Sequence, residues 1–313
     1  MNQISPNCFS EHEQLKSVVL CPPSSLDVPD QKTATMVQWN GPVNQEIAHE
    51  NHENLTGALS QEGVHVIQYE DELSSEGYRL SDQLINRMFV RDLACVFGNT
   101  ILPGEAGTSM RKPEYIHLHS LMNKWFPHHF QIHENNDVSS LEFGDVLVLN
   151  KDAIFINVGM RTSISSVERV KNSLFEAGFS EIGIIDLPRS ASTLHLDMNC
   201  NVVGSNVVIS KSFLRYFPIQ VLTQSTVHYS MMQEFMSRHG FDVYWIESYK
   251  TIPDINFLNI NPETILISKQ ANLEIFRDHP VLKKKKYLSI DVTELEKGGG
   301  GIRCMTLPLE RRL

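Results

Sequence analysis

Apolar residues along this chain recur in one order: a short run, a polar turn, a second run, a stretch of helical period, then another run. The first copy sets Ala94-Cys95-Val96-Phe97 and Thr100-Ile101-Leu102 around Gly98-Asn99, followed by a helix over 114–125 and a strand near Phe130-Gln131-Ile132. The second has runs at 146–149 and 153–156, a helix over 165–177 and a strand over 182–185. The third has runs at 201–203 and 207–209, a helix over 227–239 and a strand over 242–246; the fourth has runs at 257–260 and 264–267, a helix over 271–277 and a strand over 287–290. Turns rich in Gly, Asn and Asp between β-branched runs signal hairpins, so each copy predicts a ββαβ unit.

A fifth unit follows if a C-terminal strand over 303–307 pairs beside Ser17-Val18-Val19-Leu20, with a helix over 45–59 and a strand over 64–68. Pairing the two ends closes a ring and removes open strand edges. No linker rich in Pro, Gly or Ser divides the chain, which predicts a single domain over 1–313.

Composition narrows the function classes. The 313 residues are 41% hydrophobic and 20% charged, as expected of a chain with a large core, and the net charge of −10 argues against nucleic acid. The one basic run, Lys283-Lys284-Lys285-Lys286, reads as a solvated turn. The first ten residues lack the pattern of a secretory leader, and no apolar stretch reaches membrane-spanning length, so the expectation is a cytoplasmic protein off the membrane. Five dispersed cysteines, Cys8, Cys21, Cys95, Cys200 and Cys304, predict free thiols rather than a disulfide framework or zinc site.

The glycine run 298–301 leads to Cys304 across Ile302 and Arg303. Such a run is commonly a flexible linker, and a lone cysteine is commonly a small core residue. Arg303, however, adds positive charge beside the thiol, which predicts a thiolate nucleophile on an exposed strand or turn. Polar groups also gather where hairpins begin: Asn86 through Asp92 before the first, Glu142 to Asp145 before the second, and His195-Leu196-Asp197 before the third. In a radial fold these points converge, so Asp92, Glu142, His195, Asp197 and Cys304 are expected in one pocket. Carboxylates there suit a guanidinium, whose forked donors they match bidentately. A thiolate attacks the central carbon while histidine protonates the departing amine and then activates water, with neither metal nor cofactor. Asp145 reads as structural, and His117, His119, His128, His129 and His133 as decoration of a helix and its exit.

These segments resemble the guanidine-modifying enzymes of the pentein superfamily: Asn86 with Phe89-Val90-Arg91-Asp92, Glu142-Phe143-Gly144-Asp145, Gly159-Met160-Arg161-Thr162, His195-Leu196-Asp197, and a glycine-rich segment ending in Cys304. The resemblance implies an α/β fold, the five-bladed pseudosymmetric α/β propeller of ββαβ units. It also implies catalytic roles for Cys304 as nucleophile, His195 as acid and base, Glu142 as its orienting partner, and Asp92 and Asp197 as guanidinium ligands. Asn86, Arg111 and Arg161 are the implied ligands of a substrate carboxylate. Phe143 stands where glycine is usual, suggesting a reshaped pocket wall, and Gly299 stands where arginine deiminases carry an arginine. The implied function is a hydrolase on arginine or a methylarginine-type derivative, giving a citrulline-type product. The alternatives are an amidinotransferase with an amine acceptor and a non-catalytic binding module. Its partner is a small guanidino compound, and a homodimer is a further expectation from an exposed blade.

Overall fold

The computed structural model describes residues 4–131 and 139–313. Among them the strands, in chain order, are β1 (Gln14–Leu20), β2 (His65–Gln68), β3 (Ala94–Phe97), β4 (Thr100–Pro103), β5 (Val146–Asn150), β6 (Ala153–Val158), β7 (Glu181–Asp186) and β8 (Cys200–Val203). They continue with β9 (Val207–Lys211), β10 (Pro218–Leu222), β11 (Val227–Met231), β12 (Asp242–Ile246), β13 (Leu258–Asn261), β14 (Thr264–Ser268), β15 (Lys286–Ile290) and β16 (Leu307–Arg312).

One pairing scheme repeats. β5 runs antiparallel to β6 and β6 parallel to β7; β8, β9 and β12 repeat that scheme, as do β13, β14 and β15. β3 and β4 form an antiparallel hairpin, with a parallel bridge from Ile101 to Phe130 marking the third strand's place. Ile132 and His133 lie outside the described residues. In the fifth sheet β16 pairs antiparallel with β1, Gln14 opposite Arg312, and β1 pairs parallel with β2. The α/β class holds, with five separate sheets among the described residues.

The continuous apolar runs arise because the sheets are buried on both faces, and alternate side chains feed different cores. Val146 and Val148 of β5 pack with Phe97, whereas Leu147 and Leu149 pack with Cys200 and Val202. Helices cover the gaps: Ile164–Glu176, capped by Ser163 Oγ accepting from the Ser166 amide at 3.2 Å, turns Val167, Val170 and Leu174 onto the first of these cores. Each of the five cores is shared by two neighbouring units, and one joins β1 to β13 and β14 through Val18, Leu258 and Leu266.

Two elements differ from expectation. The C-terminal strand is β16, 307–312, and residues 302–305 form a turn ahead of it. The stretch expected as helix over 227–239 is strand β11 followed by the helix Met232–Arg238, because Val227, Tyr229 and Met231 alternate with polar residues at the strand period of two. β10 and β11 form an extra hairpin on the outer flank of the β5–β7 sheet. No helix among the described residues is long and apolar enough to cross a membrane. Lys285 and Lys286 pair with Glu263 and Glu62 as β15 begins.

Because β16 places Leu309 in the core shared with Val96 and Leu118, Leu309→Ala is expected to cost about 2–5 kcal/mol in urea unfolding. Leu313→Ala, on a fully exposed residue, is expected to leave the midpoint unchanged.

Candidate active site

In all five units the residues just ahead of the first hairpin strand face a common centre. Single 3₁₀ turns carry Asp92 (Val90–Asp92), Asp145 (Phe143–Asp145) and Asp197 (Leu196–Met198); Glu142 and His195 immediately precede the latter two. Asn256 ends the short helix Thr251–Ile255, and Cys304 sits in the turn before β16. Their side chains are buried, and Asp92, Glu142, His195 and Cys304 line a cavity of about 530 Å³ with Trp39 and Met198.

His195 Nε2 lies 2.8 Å from Glu142 Oε2 and 3.9 Å from Asp92 Oδ1. Gly144 is required for this approach: a Cβ there would stand 2.8 Å from both Asp92 Oδ1 and His195 Nδ1, and its own N–H donates to Asp92 Oδ1 at 2.9 Å. Asp145 Oδ1 accepts from Asn157 Nδ2 at 2.7 Å and from the Leu196 amide at 3.0 Å, which fixes the His195–Asp197 segment against β6 and confirms its structural reading. Burial lifts this carboxyl to about 7, against the pull of His195 and Asn157.

Cys304 Sγ accepts from Asn256 Nδ2 at 3.1 Å and lies 3.5 Å from Asp197 Oδ2; its backbone N–H donates to Asn256 Oδ1 at 3.0 Å. Cys304 sits in a turn as expected, but the expected exposure does not hold. The residue is 4% exposed, and burial together with Asp197 and Asp92 pushes the thiol well above its ordinary value. Arg303 offers it little charge because its guanidinium donates to Asp197 Oδ2 at 2.7 Å, Glu11 Oε1 at 2.8 Å and the Val146 carbonyl at 2.6 Å. The preceding Gly299 adopts φ +99°, a left-handed turn that a side chain would strain.

The arginines differ from one another. Arg111 is consumed internally, donating to Asp92 Oδ2 at 2.6 Å, Glu114 Oε2 at 2.8 Å and the Phe89 carbonyl at 3.0 Å. Arg161 has one long contact, 3.4 Å to Glu142 Oε1, and lines the cavity with Asn86, whose Oδ1 accepts from Trp39 Nε1 at 3.0 Å. Phe143 is no pocket wall: it points into the core, its ring 5.8 Å from that of Phe97. Of the histidines of the 112–125 helix and its exit, His119 and His129 bind backbone, at Leu93 O and Asn99 O. Asp92, Glu142 and His195 converge closely enough to hold a metal ion, but the Arg111 guanidinium already stands between the two carboxylates, 3.9 Å from Glu142. Asn256, Glu11 and Glu114 escaped the sequence reading; the repeat would have found Asn256, which occupies in the fourth unit the place of Asp92 in the first.

Burial opposes the His195 imidazolium, yet Asp92, the hydrogen bond to Glu142 and Asp145 outweigh it and raise the ring to about 10. Burial also opposes ionised Glu142, and His195, Arg111 and Arg161 outweigh it, holding the carboxyl near about 2. The raised imidazole gives stability that is full below its ordinary 6.5 and lost as pH climbs through about 10. The lowered carboxyl gives stability present above its ordinary 4.5 and lost as pH falls through about 2. The unfolding free-energy gap between wild type and His195→Gln is therefore expected to peak between pH 4.5 and 6.5 and shrink on either side. Urea melts at stepped pH measure it, and a gap unchanged from 6.5 to 10 refutes the ion pair.

Comparison with known proteins places this arrangement. In sequence the chain is similar to the arginine deiminase of Borrelia garinii subsp. bavariensis, 27% identical over 294 residues covering 82% of this chain and 69% of that one. It is 28% identical to the arginine deiminase of Borreliella afzelii over 74% of this chain and 62% of that one, so it spans about two thirds of the length of these relatives. The Bacillus subtilis protein YkgA is 23% identical over 97% of this chain and 95% of its own. In fold it is similar to Pseudomonas aeruginosa dimethylarginine dimethylaminohydrolase complexed with citrulline, at TM-score 0.70 and 16% identity over 94% of this chain and 99% of that one. The amidinotransferase SxtG of Microseira wollei gives TM-score 0.69 at 16% identity, with 98% of each chain covered. The sequence model of the arginine deiminase family matches residues 69–239, more than half of the chain, and the chain belongs to that family.

Proposed function

We propose that this protein is a cysteine-dependent hydrolase acting on the guanidino group of arginine or a methylarginine-type derivative. One observation carries the reading: a thiol 3.5 Å from Asp197, with a Glu142–His195 pair at 2.8 Å, in one cavity that Asp92 also lines. Asp92 and Asp197 are the proposed guanidinium ligands, and Asp197 Oδ1, which has no hydrogen-bond partner among the described residues, supports that role for Asp197. Arg161, with its single long contact, is the better placed of the two arginines to meet a substrate carboxylate, and Asn86 lies on the same cavity wall.

The chemistry follows from the charges. Burial, and after it Asp197 and Asp92, keep Cys304 protonated in the free protein; a bound guanidinium offsets the carboxylate field and favours the thiolate, the thiol proton passing to solvent as the substrate enters. The thiolate attacks the central carbon. Protonated His195, oriented by Glu142, gives its proton to the departing nitrogen, which leaves as ammonia or an alkylamine, and an amidino adduct remains on sulfur. His195 then takes a proton from water attacking that carbon, and sulfur departs as the ureido product forms.

Incubation with arginine, methylarginines and agmatine, with and without glycine, tests the reading by assaying ureido product, ammonia and transferred amidine. Ureido product that vanishes in Cys304→Ser is expected, and His195→Gln is expected to lower kcat by about 10²–10⁴-fold. Amidine transfer that depends on glycine would replace the hydrolase with an amidinotransferase. Absence of both turnover and adduct on Cys304 would leave a binding module.

Alkylation of Cys304 by iodoacetamide is expected to accelerate when a slowly turned-over guanidinium compound too small to cover the thiol is added. The rate, followed by mass spectrometry, would stay flat if the bound cation had no influence on the thiol.

A further inference from the structure

The β10–β11 hairpin adds a strand pair to the repeating pattern, and β11 is the outer edge of a five-stranded sheet. Such an edge presents unpaired amide groups, and chains ordinarily blunt it with charge, proline or a covering segment. Among the described residues β11 has no proline and no covering segment, and the charge beside it is that of Glu234, which accepts from Ser230 Oγ at 3.1 Å and from the Met231 amide at 3.4 Å at the strand's end. Its sequence is Val227-His228-Tyr229-Ser230-Met231, and no residue from Pro218 to Met231 is Asp, Glu, Lys or Arg, in a chain of net charge −10. Val227, Tyr229 and Met231 share one face of the strand and are 60%, 70% and 39% exposed.

Hydrogen-bond alternation says which backbone groups are free. The Thr223 amide donates to Thr226 O at 2.9 Å at the turn, and β10 and β11 then pair with Val221 opposite His228 and Ile219 opposite Ser230. Counting in twos from that bond, His228 and Ser230 bond inward to β10, while Val227 and Tyr229 turn their amides and carbonyls outward.

We propose that β11 pairs with β11 of a second copy of this chain, antiparallel about a two-fold axis through Tyr229. The occupant is argued from the edge itself. A strand whose outward groups centre on one residue complements its own copy, because Tyr229 exchanges both backbone bonds with Tyr229 of the partner subunit. The charges point the same way: two copies at −10 repel each other, and residues 218–231 carry none of that charge, while the two-fold axis keeps the two Glu234 side chains at opposite ends of the paired strands. Cross-strand aromatic and aliphatic pairs then cover the stripe.

Two measurements on the full chain test the pairing. Sedimentation over a concentration series is expected to show a dimer that the double variant Val227→Lys with Tyr229→Lys converts to monomer, with an unchanged circular dichroism spectrum. A wild type that stays monomeric, or a dimer indifferent to both lysines, overturns the proposal. Facing residues of a bonded antiparallel pair have Cα atoms about 5.5 Å apart, within the roughly 4.4–6.8 Å that a disulfide spans. Tyr229→Cys is therefore expected to cross-link two chains under mild oxidation while Gln224→Cys, at the hairpin tip, does not. Equal cross-linking at both positions, or none at 229, overturns it.

Discussion

The arrangement at the centre depends on the buried guanidinium of Arg303. A charge removed from water needs close partners, and this one finds them in three separate parts of the chain: Asp197 ahead of β8, Glu11 near the N-terminus, and the Val146 carbonyl at the start of β5. Through the adjoining Cys304 amide it is also tied to Asn256, ahead of β13. Four sheets thus have their inner ends set by a single turn, and the thiol's position follows from charge pairing as much as from packing.

A second constraint is the balance of charge around the cavity. Asp92, Glu142 and Glu114 face Arg111, Arg161 and His195, so the site is a nearly neutral mosaic. Arg111 is the informative member, because its donors are satisfied by Asp92, Glu114 and a carbonyl. It acts here as a strut that orients Asp92, whereas Arg161 is only lightly held.

Much of this was legible in the sequence because the repeat is written in two periods. Paired apolar runs located four of the hairpins within a residue or two, and of the polar residues ahead of them Asp92, Glu142 and His195 line one cavity as the radial argument expects, with Asp197 3.5 Å from the Cys304 sulfur but off the cavity lining. The failures have physical causes. The 227–239 stretch mixes both periods, and its strand half is largely exposed, so its apolar residues face solvent where a core-facing strand would bury them. Arg303 misled because adjacency in sequence says nothing about where a guanidinium points, and its carboxylate partners come from residues 11 and 197. Phe143 departs from glycine without touching the cavity because its side chain leaves on the core side of its turn. Asn256 carries no charge and so attracted no notice, although its place in the repeat is that of the acidic residues.

The protonated state of Cys304 bears on its survival. Oxidants and stray electrophiles react with thiolates far faster than with thiols, and a sulfur carried to the sulfinic stage is in general lost for good. Burial and two nearby carboxylates keep this sulfur in its less reactive form. On the proposed function, an idle molecule is thereby spared chemical ageing, and exposure to damage comes only with the guanidinium that the site is proposed to bind.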